Sequence, residues 1–251
     1  MTAELRIGTW NLDHARGVAA RGRRLAVLAA ADADIWVLTE TNDDHALEGF
    51  IGLHSAPRRE SRPGGRWVSI WSRLPILRTI AVADADRTAA ALVETALGPV
   101  AVFGTVLPWH SDRGEAPSDP PPRNWQEQDR VTPLQGEAWR ELRAAFPQAR
   151  LCVAGDLNMN LGGPHLYGTA RGRGLLAQAM ADAGLACLTA FDRVPVGLLR
   201  QGLIDHVLFD AADAVGARVL SAWEARAADG AVLSDHSGVV VAIGGARASD
   251  A

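Results

Sequence analysis

The feature that most constrains the fold of this chain is one short apolar run that ends abruptly in polar residues. It is the stretch LCVAGDLNMN, from Leu151 to Asn160. Its first four residues are too few to form a helix and predict a buried strand. Gly155 allows the backbone a close approach where this strand ends. Asp156 and Asn158 are two residues apart, so both side chains would leave an extended backbone on the same face. The pattern predicts either a chemically active strand end or an ordinary capped turn, since Asp and Asn also favour turns.

Two further polar residues close the first two strand patterns of the chain. Asn11 follows the alternating stretch over residues 4–10, and Glu40 follows the apolar run over residues 35–38. A helical pattern over residues 17–31 separates these two strands. A strand–helix–strand unit of this kind could place the two polar ends side by side.

Acids and histidines accompany the last strand patterns. Asp205 and His206 lie in a strand predicted over residues 202–209, and Asp235 with His236 directly precedes the final strand. Neighbouring side chains in a strand point to opposite faces, so His206 should turn away from Asp205. We therefore expect His206 to pack or to form a hydrogen bond rather than to act in catalysis.

The rest of the chain predicts many strands and few helices. Strand patterns cover residues 67–72, 76–83, 89–97, 99–107, 186–190, 214–223 and 237–243. Thr132 would cap a helix that ends at Phe146, a further helix covers residues 174–183, and the proline-rich stretch 108–130 is irregular. No repeat or low-complexity linker occurs, so we expect a single domain over residues 1–251 with a frayed tail from Gly244.

Composition narrows the class of protein. The 251 residues are 48% hydrophobic, which is ample for a packed core, and the net charge of −4 argues against a chain that coats long nucleic acid electrostatically. Cys152 and Cys187 lie in apolar runs, which suits buried reduced thiols. The sequence enters a strand pattern without an apolar leader, and no run approaches the roughly 18 apolar residues of a membrane span. We expect a cytoplasmic protein without a membrane partner.

Five short pieces of the sequence carry a resemblance to a known family. In order, GTWNL, LTET, GDLN, IDHV and SDHSGV resemble the motifs of the endonuclease/exonuclease/phosphatase superfamily, and WVSIWSRLPI is similar to the strand that follows its acidic motif. The superfamily comprises metal-dependent phosphoesterases such as DNase I-like nucleases, apurinic endonucleases, inositol phosphatases and sphingomyelinases. The resemblance extends from Arg6 to Val241. It implies an α+β fold, a four-layer α/β/β/α sandwich of two packed mixed β-sheets with outer helices.

The resemblance also implies a metal site and a group that activates water. Glu40 would be the principal ligand of Mg²⁺ or Mn²⁺, helped by Asp235 and by Asn11, because carboxylate and amide oxygens suit these hard cations. Asp156 would orient or deprotonate the attacking water. Asn158 would hold the phosphate or the attacking oxygen.

Two histidines complete the set that the resemblance implies. His236 would contact the scissile phosphate and, when protonated, stabilise negative charge, with Asp205 as its orienting carboxylate. Family members commonly carry a Tyr or His after the central strand as a further phosphate contact. The aligned position in GTVLPWHSD is Val106 or, with a shift, His110, and we assign this contact to His110.

A phosphate ester repels nucleophiles, so its hydrolysis needs a cation, an activated water and a proton for the leaving oxygen. The residue set predicts a divalent-metal-dependent phosphoesterase that cleaves a phosphodiester or a phosphomonoester. The alternative is a family member that has lost catalysis and serves as a binding module. Such a protein would lack one or more of the predicted catalytic and metal-binding residues, but all seven are present: Asn11, Glu40, Asp156, Asn158, Asp205, Asp235 and His236. Neither a glycine-rich turn after the first strand nor an HExxH motif occurs, which argues against a dinucleotide-binding dehydrogenase and a zinc protease.

The substrate and the oligomeric state stay open at this level. Arginines cluster in two loops and could form a rim for an anionic substrate such as nucleic acid, or could be solvated loop charges. The cluster consists of Arg58, Arg59, Arg62 and Arg66 in one loop and Arg171 and Arg173 in the other.

Overall fold

The computed structural model describes residues 3–14, 17–58, 63–114, 119–163 and 167–244. Within these residues the chain forms twelve strands and three α-helices. The strands are β1 (Glu4–Asn11), β2 (Ile35–Asn42), β3 (Ile51–His54), β4 (Gly65–Ser72), β5 (Ile76–Ile80), β6 (Thr88–Val93), β7 (Val100–Val106), β8 (Arg150–Asp156), β9 (Leu185–Cys187), β10 (Asp205–Asp210), β11 (Arg218–Trp223) and β12 (Gly238–Gly244). The helices are α1 (Val18–Ala31), α2 (Gln126–Ala145) and α3 (Ala170–Asp182). The tail predicted to fray lies outside the described residues beyond Gly244.

The strands form two mixed sheets of six strands each. The first sheet has the order β11-β12-β1-β2-β4-β3, and the second has the order β5-β6-β7-β8-β10-β9. Strands β1 and β2 run parallel, as do β7 and β8, whereas β12 pairs with β1 and β10 pairs with β8 in the antiparallel sense. Both sheets are therefore mixed, as the sequence predicts.

The first sheet is covered on both faces, and β2 shows why its sequence is a continuous apolar run. Ile35 and Val37 point into the core between the two sheets. Trp36 and Leu38 point the other way and pack in a second core with Leu28 of α1. Side chains alternate between the faces of a strand, so a strand buried on both faces is apolar at every position.

The second sheet is covered in the same way. In β8, Cys152 and Ala154 face the core between the sheets, and Val153 packs in an outer core with Trp139 of α2 and Leu176 of α3. The layers are thus helix, sheet, sheet and helices. This confirms the predicted four-layer α/β/β/α architecture.

Two predictions from composition can be compared with the structure. Cys152 and Cys187 are both buried and free, as their apolar surroundings predict. Among the helices of the described residues, none combines the length and the apolar character needed to cross a bilayer.

Helix α2 begins six residues earlier than the sequence predicts. The predicted cap, Thr132, lies inside the helix, where its hydroxyl donates to the carbonyl of Gln128 at 2.8 Å. Pro133 also lies inside the helix, and a proline there normally disfavours helix. Gln128 and Val131 are buried, so packing against the sheet outweighs this local preference.

The strand registers bring the polar strand ends to one end of the sandwich. Asn11 at the end of β1 lies beside Thr39 of the parallel β2, so Glu40 follows at the same level. In the second sheet, Asp156 at the end of β8 lies directly opposite Asp205 at the start of β10. Since β1 contacts both β8 and β10, these ends face each other across the core.

Gly104 of β7 provides a test of the packing between the sheets. A Cβ atom at this position would lie 2.6 Å from Val68 Cγ1 and 3.0 Å from Val37 Cγ1. We expect Gly104→Ala to lower the free energy of unfolding by about 1–3 kcal/mol, because overpacking a tight core forces side chains from their preferred rotamers. Denaturant-induced unfolding measures this change.

Gly22 of α1 is the matched control. It is exposed in the helix, and a Cβ atom there would meet nothing within 4 Å. Gly22→Ala should therefore raise stability by about 0.5–1 kcal/mol through helix propensity alone. Equal effects of the two substitutions would contradict the packing described for Gly104.

Candidate active site

Asn11 joins two acidic side chains that come from different sheets. Its Nδ2 atom donates to Glu40 Oε1 and to Asp156 Oδ2, at 3.2 Å in each case. Its amide oxygen accepts from the backbone N–H of Asp13 at 2.8 Å, which sets the orientation of the amide. The side-chain nitrogen of Asn11 therefore faces the two carboxylates. In this geometry Asn11 acts as a hydrogen-bond donor to both. Coordination of a metal by Asn11 stays a prediction.

Glu40 is held in a conformation that few residues adopt. Its φ is +48°, in the left-handed region, and such strain of about 1–3 kcal/mol persists only where the surrounding structure enforces it. Its Oε2 lies 2.5 Å from His14 Nε2. Burial acts to raise the pKa of Glu40, but the hydrogen bonds and charge of His14 and the hydrogen bond from Asn11 outweigh it and lower the pKa below its usual value. Glu40 is therefore ionised at neutral pH.

Asp156 is buried, and its environment disfavours the ionised form. Burial is the main cause, and the negative charges of Asp205 and Glu40 add to it. The charge of His236 and the backbone N–H of Asn158, 2.9 Å from Asp156 Oδ1, act in the opposite direction. The result is a pKa of about 7. A carboxyl group with this pKa can exchange a proton near neutral pH.

His236 and Asp205 form the acid–histidine pair that the sequence predicts. His236 Nδ1 lies 2.6 Å from Asp205 Oδ2, and His236 Nε2 lies 3.9 Å from Asp156 Oδ2. Burial acts to lower the pKa of His236, but the charges of Asp205 and Asp156 outweigh it and raise the pKa to about 10. His236 is thus an imidazolium at neutral pH, and its Nε2 lies at the same distance, 3.9 Å, from Asp156 Oδ2 and from Asp235 Oδ1.

The carboxylates around Glu40 fit a divalent cation. Burial, followed by the negative charges of Asp235 and Glu40, raises the pKa of Asp13 above its usual value. Three acidic groups therefore repel one another at this position, and a cation with oxygen ligands would relieve that repulsion. Asp235 is 70% exposed, so it can reach an ion from the solvent side. The predicted ligands Glu40 and Asp235 suit Mg²⁺ or Mn²⁺.

Among the described residues, the side chains found with metal-like spacing form a different group. Ligand atoms of Asp156, Asp205 and His236 lie within 4.8 Å of one another. However, a metal binds neutral imidazole, whereas His236 is hydrogen-bonded to Asp205 and its pKa is raised to about 10. We therefore interpret these three residues as a proton-handling group.

The predicted residues meet at one cavity of about 290 Å³. Five of them line it: Glu40, Asp156, Asn158, Asp235 and His236. Asn11 and Asp205 lie behind this lining and hold Glu40, Asp156 and His236 through the hydrogen bonds described above. Asn158 Nδ2 donates one hydrogen to the carbonyl of Leu107 at 2.9 Å, so the second amide hydrogen is available to a phosphate.

The structure does not bring His110 into this cavity. Its side chain is exposed, and its Nε2 lies 2.8 Å from Asn124 Nδ2. Trp109, the preceding residue, and Tyr167 line the cavity instead. Tyr167 comes from a distant loop, and its pKa is raised by burial even though a hydrogen bond with the backbone of His110 acts against the shift.

Two other residues that line the cavity, His14 and Trp67, were also missed from the sequence, whereas Arg58 was predicted only as part of the arginine rim. Arg58 Nη1 lies 2.7 Å from His14 Nε2, and the Arg58 guanidinium lies 3.5 Å from the centre of the Trp67 ring. His14 lies only three residues after Asn11, which is the one local signal that could have indicated it.

The arginines of the predicted rim have different surroundings in the structure. Arg66 pairs with Asp43 at 2.7 Å, and Arg171 pairs with Asp129 at 3.0 Å. Arg59 and Arg62 lie outside the described residues. Of the arginines in this set that the structure describes, Arg58 is the one that lines the cavity.

His206 forms hydrogen bonds away from the cavity, as the alternation of the strand predicts. Its Nε2 lies 2.9 Å from the carbonyl oxygen of Met159, and its Nδ1 lies 2.9 Å from Thr189 Oγ1. Because a carbonyl only accepts, Nε2 carries the hydrogen. His206 thus fixes the backbone next to Asn158.

A family model, described as the Endonuclease/Exonuclease/phosphatase family, matches residues 8–236. The chain is similar in structure to the AP endonuclease LMAP from Leishmania major, with a TM-score of 0.66, 14% identity and coverage of 97% of this chain and 89% of that one. It is also similar to sphingomyelinase C from Streptomyces griseocarneus (TM-score 0.61, 20% identity, coverage 96% and 99%). The endonuclease domain of TRAS1, a telomere-specific non-LTR retrotransposon, gives a TM-score of 0.59, 18% identity and coverage of 96% and 98%. No curated protein sequence matches the chain.

The charge of His236 can be tested directly in the metal-free protein. Asp205 contributes the largest of the interactions that raise its pKa, so Asp205→Asn should shift the titration of His236 to clearly lower pH. The imidazole resonances followed by NMR through a pH titration in EDTA report this pKa. Asp235→Asn is the matched control and should produce a smaller shift, because the Asp235 charge is the weakest of these contributions. An unchanged pKa in Asp205→Asn would rule out the pair as the source of the charge.

Proposed function

The chain belongs to the Endonuclease/Exonuclease/phosphatase family, and from this premise we propose that it is a divalent-metal-dependent phosphoesterase that hydrolyses a phosphodiester or phosphomonoester bond. The observation that supports this most strongly is the bridge from Asn11 to Glu40 and Asp156, at 3.2 Å each. It joins the predicted metal ligand to the predicted water-activating group. A protein that only binds a partner would not need this arrangement of buried charges.

Glu40 and Asp235 would hold Mg²⁺ or Mn²⁺, which when bound neutralises negative charge on the phosphoryl oxygens. Asn11 keeps the Glu40 carboxylate in place by donating to Oε1. The second amide hydrogen of Asn158 is directed to a phosphoryl oxygen. These contacts would align the ester with the attacking water.

Asp156 and His236 would share the proton transfers. Asp156, with its pKa of about 7, takes a proton from the attacking water in its ionised form. His236, protonated at neutral pH, places its Nε2–H against the developing negative charge and gives this proton to the leaving oxygen. Asp205 accepts from His236 Nδ1, so the proton on Nε2 faces the cavity.

The first test concerns the metal. Replacing a carboxylate with an amide of the same shape removes the charge that attracts the cation, so Glu40→Gln should need a much higher Mg²⁺ or Mn²⁺ concentration for half-maximal activity. Hydrolysis of a chromogenic phosphodiester at increasing metal concentration measures this requirement. Glu94→Gln, the same change at an exposed strand end far from the cavity, should leave it unchanged. Full activity of the wild-type protein in EDTA would exclude metal dependence.

The second test concerns the proton transfers. Asp156→Asn and His236→Ala should each lower kcat by about 10² or more, with smaller effects on KM. Because both residues act on one step, the double variant should lose much less than the product of the two single losses. Steady-state kinetics of the three variants gives these ratios. A single variant that keeps most of its activity would remove that residue from the mechanism.

A further inference from the structure

A second cavity of about 490 Å³ adjoins the cavity of the candidate active site. The two cavities share three lining residues, Arg58, Trp67 and Trp109. A ligand whose phosphate lies beside Glu40 could therefore extend past these side chains into the second cavity. Its volume lies within the range of roughly 300–1,000 Å³ that is usual for small-molecule sites.

Two of the residues that line both cavities are tryptophans, Trp67 and Trp109, and we call their rings the aromatic wall. Both rings are held by contacts, but they differ in exposure. Trp67 is only 8% exposed, and the Arg58 guanidinium lies 3.5 Å from its ring centre. Trp109 is half-buried, and its Nε1 lies 3.2 Å from Ser111 Oγ. The ring centres are 5.6 Å apart, with a tilt of 40° between the planes. Trp109 is thus the ring that a ligand can reach.

Arg87 and Asp112, two of the charged residues that line the second cavity, compensate each other. Arg87 Nη1 lies 2.6 Å from Asp112 Oδ2, and both side chains are buried. The Arg87 guanidinium lies 5.3 Å from the Trp67 ring centre and 5.6 Å from that of Trp109. A cation paired in this way stiffens the aromatic wall through cation–π contacts. The wall therefore offers a rigid π face against which a flat ring can stack.

From this geometry we propose that the second cavity binds an aromatic ring carried by the phosphoester substrate, which stacks on Trp109 while the phosphate lies beside Glu40. The proposal rests on the proposed phosphoesterase function and narrows the substrate class to esters with a planar ring close to the phosphate. Such a ring could be a nucleobase or an aryl group. Stacking on an aromatic side chain tolerates either, because each presents a π face.

The test uses two pairs of ligands that differ in the ring. The pairs are adenosine 5′-monophosphate against ribose 5-phosphate, and phenyl phosphate against methyl phosphate. Calorimetry with Mg²⁺ uses Asp156→Asn as the host protein, since its slow turnover keeps the ligands intact. In at least one pair the ring compound should bind roughly tenfold tighter or more, the size of one stacking contact. The pair that shows this difference identifies the kind of ring.

Substitutions of Trp109 assign the effect to the cavity. In the Asp156→Asn host protein, a further Trp109→Ala substitution should bring the ratio of the two affinities in each pair close to one. Trp109→Phe should keep most of the preference for the ring compound. Phe50→Ala is the matched control, because Phe50 is also half-buried and carries an arginine, Arg73, 4.9 Å from its ring centre, but does not line either cavity. It should leave the ratio unchanged.

The outcomes separate this proposal from the proposed function. Ratios near one in both pairs with Trp109 intact, or ratios that survive Trp109→Ala, would overturn the ring site even if wild-type protein hydrolyses phosphoesters. A ring-dependent ratio that Trp109→Ala removes would support the site. If wild-type protein then hydrolysed none of the phosphoesters, only the proposed function would fail.

Discussion

The structure depends on holding several acidic side chains close together in a buried place. Buried carboxylates are unfavourable unless each is paired or hydrogen-bonded. Asn11 meets this requirement for Glu40 and Asp156 at once, because one amide nitrogen has two hydrogens to donate. The left-handed backbone of Glu40 follows from the same constraint, since the carboxylate must point at this amide rather than at solvent.

The two-sheet architecture supplies the partners that these charges need. Asn11 ends β1 and Glu40 lies near the end of the parallel strand β2, whereas Asp156 and Asp205 are paired across antiparallel strands of the other sheet. Charges on a single sheet could not surround a substrate from two sides. The loop before β12 adds His236 from the first sheet, and Ser234 Oγ ties this loop to the carbonyl of Asn11 at 2.7 Å.

Asp156 and His236 show how burial and neighbouring charges together decide the charge of a group. Both are buried, and burial disfavours the charged form of each. Asp205 shifts both pKa values upward, because its negative charge repels the Asp156 carboxylate and attracts the His236 imidazolium. Burial together with this one acid thereby yields a carboxyl group near its midpoint at neutral pH and a histidine that keeps its proton.

The sequence by itself determined the many strands and five of the residues at the cavity, because apolar periodicity and the polar residues that end it are local properties. The two-sheet sandwich was implied by the resemblance to the family. The sequence could not indicate β3, which is mostly exposed, or the start of α2, whose proline is tolerated only through packing. His110 was predicted at the cavity, but Trp109 and Tyr167 line it instead. Which loop side chains reach a cavity depends on contacts between residues far apart in the chain, so only the tertiary structure decided that part of the site.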